Sequence, residues 1–119
     1  MGKADEEGGK GMHVAIRRYQ MDPASVDEVM RQVNEGFIPI IKDADGFLAY
    51  YALNAGAGEI ATVSVFEDQA GAEESIRLAA DWIRQNLAAL LPNPPEITEG
   101  EVRALELNLT KLGMSKIRE

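Results

Sequence analysis

Apolar side chains fall into two stripes at helical spacing, with two crowded apolar runs between them. The first stripe is Val26, Val29, Met30, Val33 and Phe37, spaced by three, four and seven like the buried face of an amphipathic helix. Asp22-Pro23 supplies its N-cap and first helical position, with Ser25 and Glu28 as an alternative capping box. Gly36 and Pro39 mark its expected end. The second stripe is Ile76, Ala79, Ala80, Ile83, Leu87 and Leu90. Asp68 caps it, Glu73 and Glu74 suit the dipole of its early turns, and Pro92, Pro94 and Pro95 close it. Strands are expected at 12–19, 46–53, 60–66 and 96–103.

The two central strands do not alternate apolar with polar, as a half-buried strand does. Strict alternation puts Phe47, Ala49, Tyr51 and Leu53 on one face and Leu48, Tyr50 and Ala52 on the other. Tyr50 and Tyr51 must then point opposite ways, one to the helices and one to the far face. Thr62, Ser64 and Phe66 share a face of the next strand, opposed to Ala61, Val63 and Val65. Two helices cover one face of a small sheet. An apolar second face of a few hundred Å² is uncommon on a soluble monomer, and burying it is worth several kcal/mol at roughly 25 cal/mol/Å². The simplest cover is a second copy of the chain, related by a two-fold axis.

The order β–α–β–β–α–β is the split βαβ, or ferredoxin-like, arrangement: an α+β fold with an antiparallel sheet and both helices on one side. Residues 12–103 form this domain. Residues 1–11, with four glycines among charges, read as a disordered tail. Residues 104–119 form a C-terminal extension. Leu105, Leu107 and Leu109 alternate like a strand, while Val102, Leu105, Leu109 and Leu112 are spaced like a helix; the segment could reach a second subunit. The polar side of 96–103 suggests a sheet edge.

Composition narrows the chemistry. The 119 residues carry a net charge of −8, which repels phosphate backbones and anionic membranes, so neither nucleic acid nor membrane is an expected partner. There is no cysteine, hence no disulfide, thiol nucleophile or thiolate metal site, and one histidine excludes a His-rich zinc site. No run approaches a membrane span and no secretory signal is evident, so the expected compartment is the cytoplasm. No phosphate loop or nucleotide fingerprint occurs, and the carboxylates fall on helix surfaces and turns.

The order of elements carries a resemblance, together with Arg17-Arg18-Tyr19, Gly46-Phe47, the run Phe66-Glu67-Asp68-Gln69-Ala70-Gly71-Ala72 and the stretch from Leu91 to Val102. These features resemble the dimeric α+β barrel proteins of the antibiotic biosynthesis monooxygenase type, over residues 12–103. The resemblance implies a homodimer joined through the sheet face. It also implies a cavity between sheet and helices that takes a small aromatic or polyketide-like molecule. Any reaction would be an oxygenation, or a related isomerisation, without metal or flavin. Asparagine, tryptophan and tyrosine side chains bind substrate in such proteins; Asn34, Asn54, Asn86, Trp82, Tyr19, Tyr50 and Tyr51 are the inventory here, with no local motif to give any of them a role.

Face assignment makes Arg17, Tyr51, Thr62, Ser64 and Trp82 the candidate pocket residues, with no catalytic residue and no metal ligand assigned. Each has a structural alternative. Trp82 either seals the helix–sheet seam or stacks on a flat ligand. Thr62 and Ser64 line a small pocket or bond one another, and Ser64 has no local base to make it a nucleophile. Arg17 pairs with a ligand carboxylate or with a local acid. His13 is a base, a haem ligand or an idle residue at a strand start. Haem-degrading proteins of this type use a helix histidine, which the second helix lacks, so no cofactor is expected. A ligand-binding or protein-interaction dimer without turnover is the alternative to an enzyme.

Overall fold

The computed structural model of the chain describes residues 11–113. The expected tail 1–11, apart from Gly11, and the last six residues of the extension lie outside the described residues. In chain order the elements are β1 (His13–Gln20), a 3-10 turn (Pro23–Ser25), α1 (Val26–Gln32), a π-helical turn (Val33–Phe37), α2 (Ile38–Ile41), β2 (Phe47–Gly56), β3 (Glu59–Phe66), α3 (Gln69–Asn86) and β4 (Glu96–Glu101). The strands form one antiparallel sheet in the order β2-β3-β1-β4, the ferredoxin-like topology.

The helices bury one face of that sheet. Ala15 and Tyr19 of β1, with Ile60 and Phe66 of β3, pack against Val29, Val33, Phe37 and Ile41 from the first helical stretch and Ala72 and Ala79 from α3. The first stretch runs longer than its glycine and proline suggest. Residues four apart on a regular α-helix drift by about 40°. The wider turn at Val33–Phe37 removes that drift, so that Val29, Val33, Phe37 and Ile41 are all buried. Pro39 then falls in the first turn of α2, where its missing N–H costs little. Asp22 does cap the entry, accepting from the Ala24 N–H at 2.9 Å, while Ser25 makes no capping bond.

Asp68 caps α3 as expected, accepting from the Gly71 N–H at 3.0 Å. α3 ends at Asn86, before the prolines. Leu87 and Leu91 turn back into the core, and Ala80, expected in the stripe, is exposed. β4 stops at Glu101, two residues short of the expected end. It lies at one sheet edge, with β2 at the other. Residues 102–107 form no regular element, and Leu105, Leu107, Leu109 and Leu112 are exposed.

One irregularity in β2 decides its faces. Phe47 pairs with Phe66 but Ala49 pairs with Val65, so Leu48 is an extra, bulged residue. Phe47 therefore faces the helices along with Tyr50 and Ala52, its ring 5.8 Å from that of Phe66. Strict alternation had placed it with Tyr51. The far face carries Val14 and Ile16 of β1, Ala49, Tyr51 and Leu53 of β2, and Ala61, Val63 and Val65 of β3. Tyr51 and Leu53 are 53% and 46% exposed there.

The β2–β3 hairpin is tighter than the expected 54–58 connection, because both strands run on to Gly56 and Glu59. Ala57 and Gly58 turn the chain with φ of +55° and +84°, the pattern of a two-residue hairpin. A Cβ at Gly58 would sit 2.2 Å from the Met21 carbonyl oxygen, while one at Gly56, also at positive φ, would meet nothing within 4 Å. Gly58→Ala is expected to destabilise by more than Gly56→Ala. The latter carries only backbone strain of about 1–3 kcal/mol; the former also displaces the Met21 N–H to Gly58 carbonyl bond. Urea denaturation of both variants measures the difference.

Candidate functional site

The inner faces of β1 and β3 place Arg17, Thr62 and Ser64 side by side. Arg17 and Thr62 are directly paired across the strands, and Ser64 lies two residues further along β3. All three are buried, Arg17 at 2% exposure, Thr62 at 3% and Ser64 at 0%. Arg17 Nε donates to the Tyr19 hydroxyl at 3.1 Å, and the guanidinium carbon stands 6.0 Å from the centre of the Phe37 ring. Among the described residues no carboxylate pairs with it. Arg17 Nη1, Thr62 Oγ1 and Ser64 Oγ are buried with no hydrogen-bond partner.

That arrangement is costly. Removing one ion from water carries a penalty of several kcal/mol. One charge-assisted hydrogen bond contributes about 1.5–3 kcal/mol, and a cation–π contact about 0.5–2 kcal/mol. The hydroxyls of Thr62 and Ser64 add their own desolvation. The surface arginines behave differently: Arg31 bridges Glu28 and Glu35, Arg77 bridges Glu74 and Asp81, and Arg84 bonds Asp81. The chain thus satisfies these exposed cations within a helical turn and leaves one buried cation short of partners.

Around Arg17 lie two spaces. An inner cavity between sheet and helices is bounded by Arg17, Thr62 and Tyr50 on the sheet and by Val33, Phe37 and Trp82 on the helices. Its free volume is only about 20 Å³, room for about one water-sized group. Phe37 organises its aromatic wall, with Tyr50 edge-on at 5.7 Å and Trp82 tilted at 5.5 Å. Trp82 can approach because residue 36 is glycine: a Cβ there would lie 2.9 Å from the indole Cζ2. An outer groove of about 460 Å³ runs between α3 and the Leu91–Pro95 segment, with Ile97 of β4 on its rim. Arg17, Tyr19, Ile83 and Leu91 border both spaces.

The candidates named from sequence separate. Arg17, Thr62 and Trp82 meet at the inner cavity, and Ser64 is buried beside them with its hydroxyl unpaired. Tyr51 is on the opposite face, half exposed, and Tyr50 occupies the cavity wall. The three asparagines are engaged locally: Asn34 donates to the Met30 carbonyl, Asn86 to the Trp82 carbonyl, and Asn54 accepts from the Gly56 N–H. His13 is partly exposed at the strand start, its Nδ1 2.9 Å from the Gly11 carbonyl oxygen. The Leu91–Pro95 wall of the groove had no chemical signal in the sequence beyond its prolines.

Both cavity tyrosines are held in the neutral, hydrogen-bond-donating form. Burial pushes the Tyr50 hydroxyl up to about 12, offset in part by the nearby Arg17 charge and by Arg17 and Thr62 polar groups that approach the hydroxyl without reaching good hydrogen-bond geometry. Burial also raises Tyr19, against the pull of the same guanidinium.

No family model matches the chain, and no curated protein matches it by sequence. Solved structures share its fold. One is a Nitrosomonas europaea protein of unknown function, 24% identical, covering 85% of this chain and 98% of its own, with a TM-score of 0.65. Another is a Streptomyces coelicolor monooxygenase solved with nanaomycin D, 20% identical, covering 88% and 96%, also with a TM-score of 0.65. A candidate antibiotic biosynthesis monooxygenase from Chloroflexus aurantiacus is 17% identical, covers 81% and 97%, and scores 0.61. The chain therefore has the ferredoxin-like α+β fold seen in antibiotic biosynthesis monooxygenase-like proteins. Among the described residues no helix is long and apolar enough to cross a membrane, and no cluster of metal-ligating side chains occurs.

The raised Tyr50 value predicts an alkaline weakness. Between an unfolded-state value near 10 and a folded-state value of about 12, the unfolded chain has released the Tyr50 proton and the folded chain has kept it. Stability therefore falls as pH rises through that window, by up to roughly 1.4 kcal/mol per pH unit. Tyr50→Phe is expected to flatten the slope between pH 10 and 12, measured by urea unfolding across that range.

Proposed function

We propose that the chain is a homodimeric protein that binds a small, largely apolar or aromatic molecule at the inner cavity and the groove beside it, in the manner of a cofactor-independent monooxygenase. The observation that carries this reading is the pair Arg17 Nη1 and Thr62 Oγ1, buried and unpartnered at a cavity walled by Phe37, Tyr50 and Trp82. Unpaired polar groups in an apolar cavity are where a ligand gains orientation and specificity. The S. coelicolor monooxygenase of the same fold, solved with nanaomycin D, adds weight to a ligand role for this fold.

The chemistry such a cavity supports is positioning and stabilisation of negative charge. A fixed cation and a neutral tyrosine in a dry site stabilise an electron-rich substrate anion far better than water does. With molecular oxygen as co-substrate, a substrate CH2 carbon would become a carbonyl. One oxygen atom enters the product and the other leaves as water with the two substrate hydrogens, so the substrate supplies every electron. A second reading, binding without turnover, is favoured by one observation: the residues bounding the inner cavity include no histidine or carboxylate to act as a base.

A thermal-shift screen against phenols, quinols and polyketide-like aromatics, with oxygen uptake followed for each hit, separates the two. A ligand near 100 times its Kd should stabilise by about 2.7 kcal/mol. A stabilising compound consumed with oxygen supports the enzyme. Stabilisation without consumption supports the binding protein, and no stabilisation by any compound overturns both.

The far sheet face supports the dimer. Val14, Ile16, Tyr51, Leu53, Val63 and Val65 form a continuous apolar surface, and among the described residues helices occupy only the other side. Light scattering of the wild type is expected to give twice the chain mass. A double variant, Tyr51→Glu with Val63→Glu, is expected to give a folded monomer, and a wild-type monomer would remove the dimer from the proposal.

A further inference from the structure

The site's polar groups specify more than an aromatic ligand. Arg17 offers a permanent positive charge, and the Thr62 hydroxyl and the neutral Tyr50 hydroxyl beside it can both donate. No negative charge among the described residues answers the guanidinium. The complement of this set is an anionic oxygen. From it we infer that the ligand is an organic acid carrying one negative charge on oxygen, held by Arg17 with Thr62, and with an apolar body. This rests on the small-molecule reading above and names the chemical class that site selects.

The two spaces divide the ligand between them. The inner cavity has room for one small group, at the unpaired Nη1 and Oγ1 atoms. The outer groove is more than twenty times larger and is lined mainly by apolar side chains, with Ile76, Ala80 and Ile83 on one wall and Ile97 on the rim. Arg17 borders both. An acidic head in the inner cavity therefore leaves a flat or branched apolar body in the groove. Arg84 lies on the groove already bonded to Asp81 at 2.9 Å, so it adds little net charge there and Arg17 is the selecting cation.

The test is isothermal titration of the full chain with three probes of one shape and different charge: 2-naphthoate, 2-naphthylmethanol and 2-naphthylmethylammonium. A fourth, 2-naphthol, is titrated at neutral pH and at pH 9.5 to distinguish a phenolate from a carboxylate as the preferred acid. Naphthoate, or naphthol at high pH, is expected to bind at least tenfold more tightly than the alcohol, with the ammonium weakest. Arg17→Gln should erase that gap while keeping the alcohol's affinity. Thr62→Val should narrow it, and Arg84→Gln should leave it unchanged. Circular dichroism confirms that each variant folds. Equal affinity for acid and alcohol in the wild type overturns the acid inference and leaves the apolar pocket standing. Binding of none of the four overturns the pocket reading as well.

Discussion

A buried guanidinium short of hydrogen-bond partners governs the inner half of this molecule. Arg17 projects from the middle of a central strand into the layer where helices meet sheet, and only one of its nitrogens has a protein partner in a good hydrogen bond. Its neighbours are arranged accordingly. Ala15 and Ala79 are small, Thr62 opposite it on β3 is hydroxylic, and the Phe37 ring, 6.0 Å from the guanidinium carbon, tolerates a cation on its face. A leucine or methionine at position 17 would fill the same space without the desolvation cost, and such replacements of buried ions are often stabilising. Retaining a cation there is a departure from the most stable packing, and departures of that kind concentrate at functional sites.

The two faces of the sheet solve different problems. The inner face uses helices α1–α3 to exclude water, and its polar groups are few and concentrated. The outer face is apolar over the middle of β2 and β3, with the Arg18–Glu59 pair at one end, and needs only another apolar surface. The bulge at Leu48 helps keep these roles apart. Without the extra residue, Phe47 would face outward or Tyr50 and Ala52 would, because a one-residue slip reverses every side chain beyond it. The bulge lets Phe47 close the core at one end of β2 while Tyr50 reaches the cavity further along.

That same bulge marks the limit of what the chain discloses before folding. The helical stripes were legible because a period near 3.6 survives local variation, and the caps at Asp22 and Asp68 follow from side-chain chemistry two or three residues away. The order of elements then determined the sheet topology. Tyr50 and Tyr51 were exchanged because alternation was counted from Phe47, across a bulge with no glycine or proline to announce it. Pro39 looked like a helix stop because the π-turn that accommodates it depends on tertiary packing of Phe37 and Ile41. Arg17, Thr62 and Trp82 were nameable from their faces, but the property that singles out Arg17 is a missing partner, and a one-dimensional pattern of charges does not say which ones meet.

The net charge of −8 sits awkwardly beside a site proposed to take an anion, and the resolution is one of range. Charges on the exposed helix faces act through water and are screened over about 8 Å at physiological ionic strength. They lower the concentration of any anion near the surface, more steeply for multiply charged ones. At Arg17 the medium is protein, where a single opposite charge at contact gains far more than it does in water. A singly charged acid with a large apolar body loses little in the approach and gains both burial in the groove and the one short ionic contact. Phosphate esters and dicarboxylates lose more outside and find only one cation inside. On the proposed ligand, the acidic surface and the buried arginine would act as successive filters, the first on total charge and the second on the presence of a charge at all.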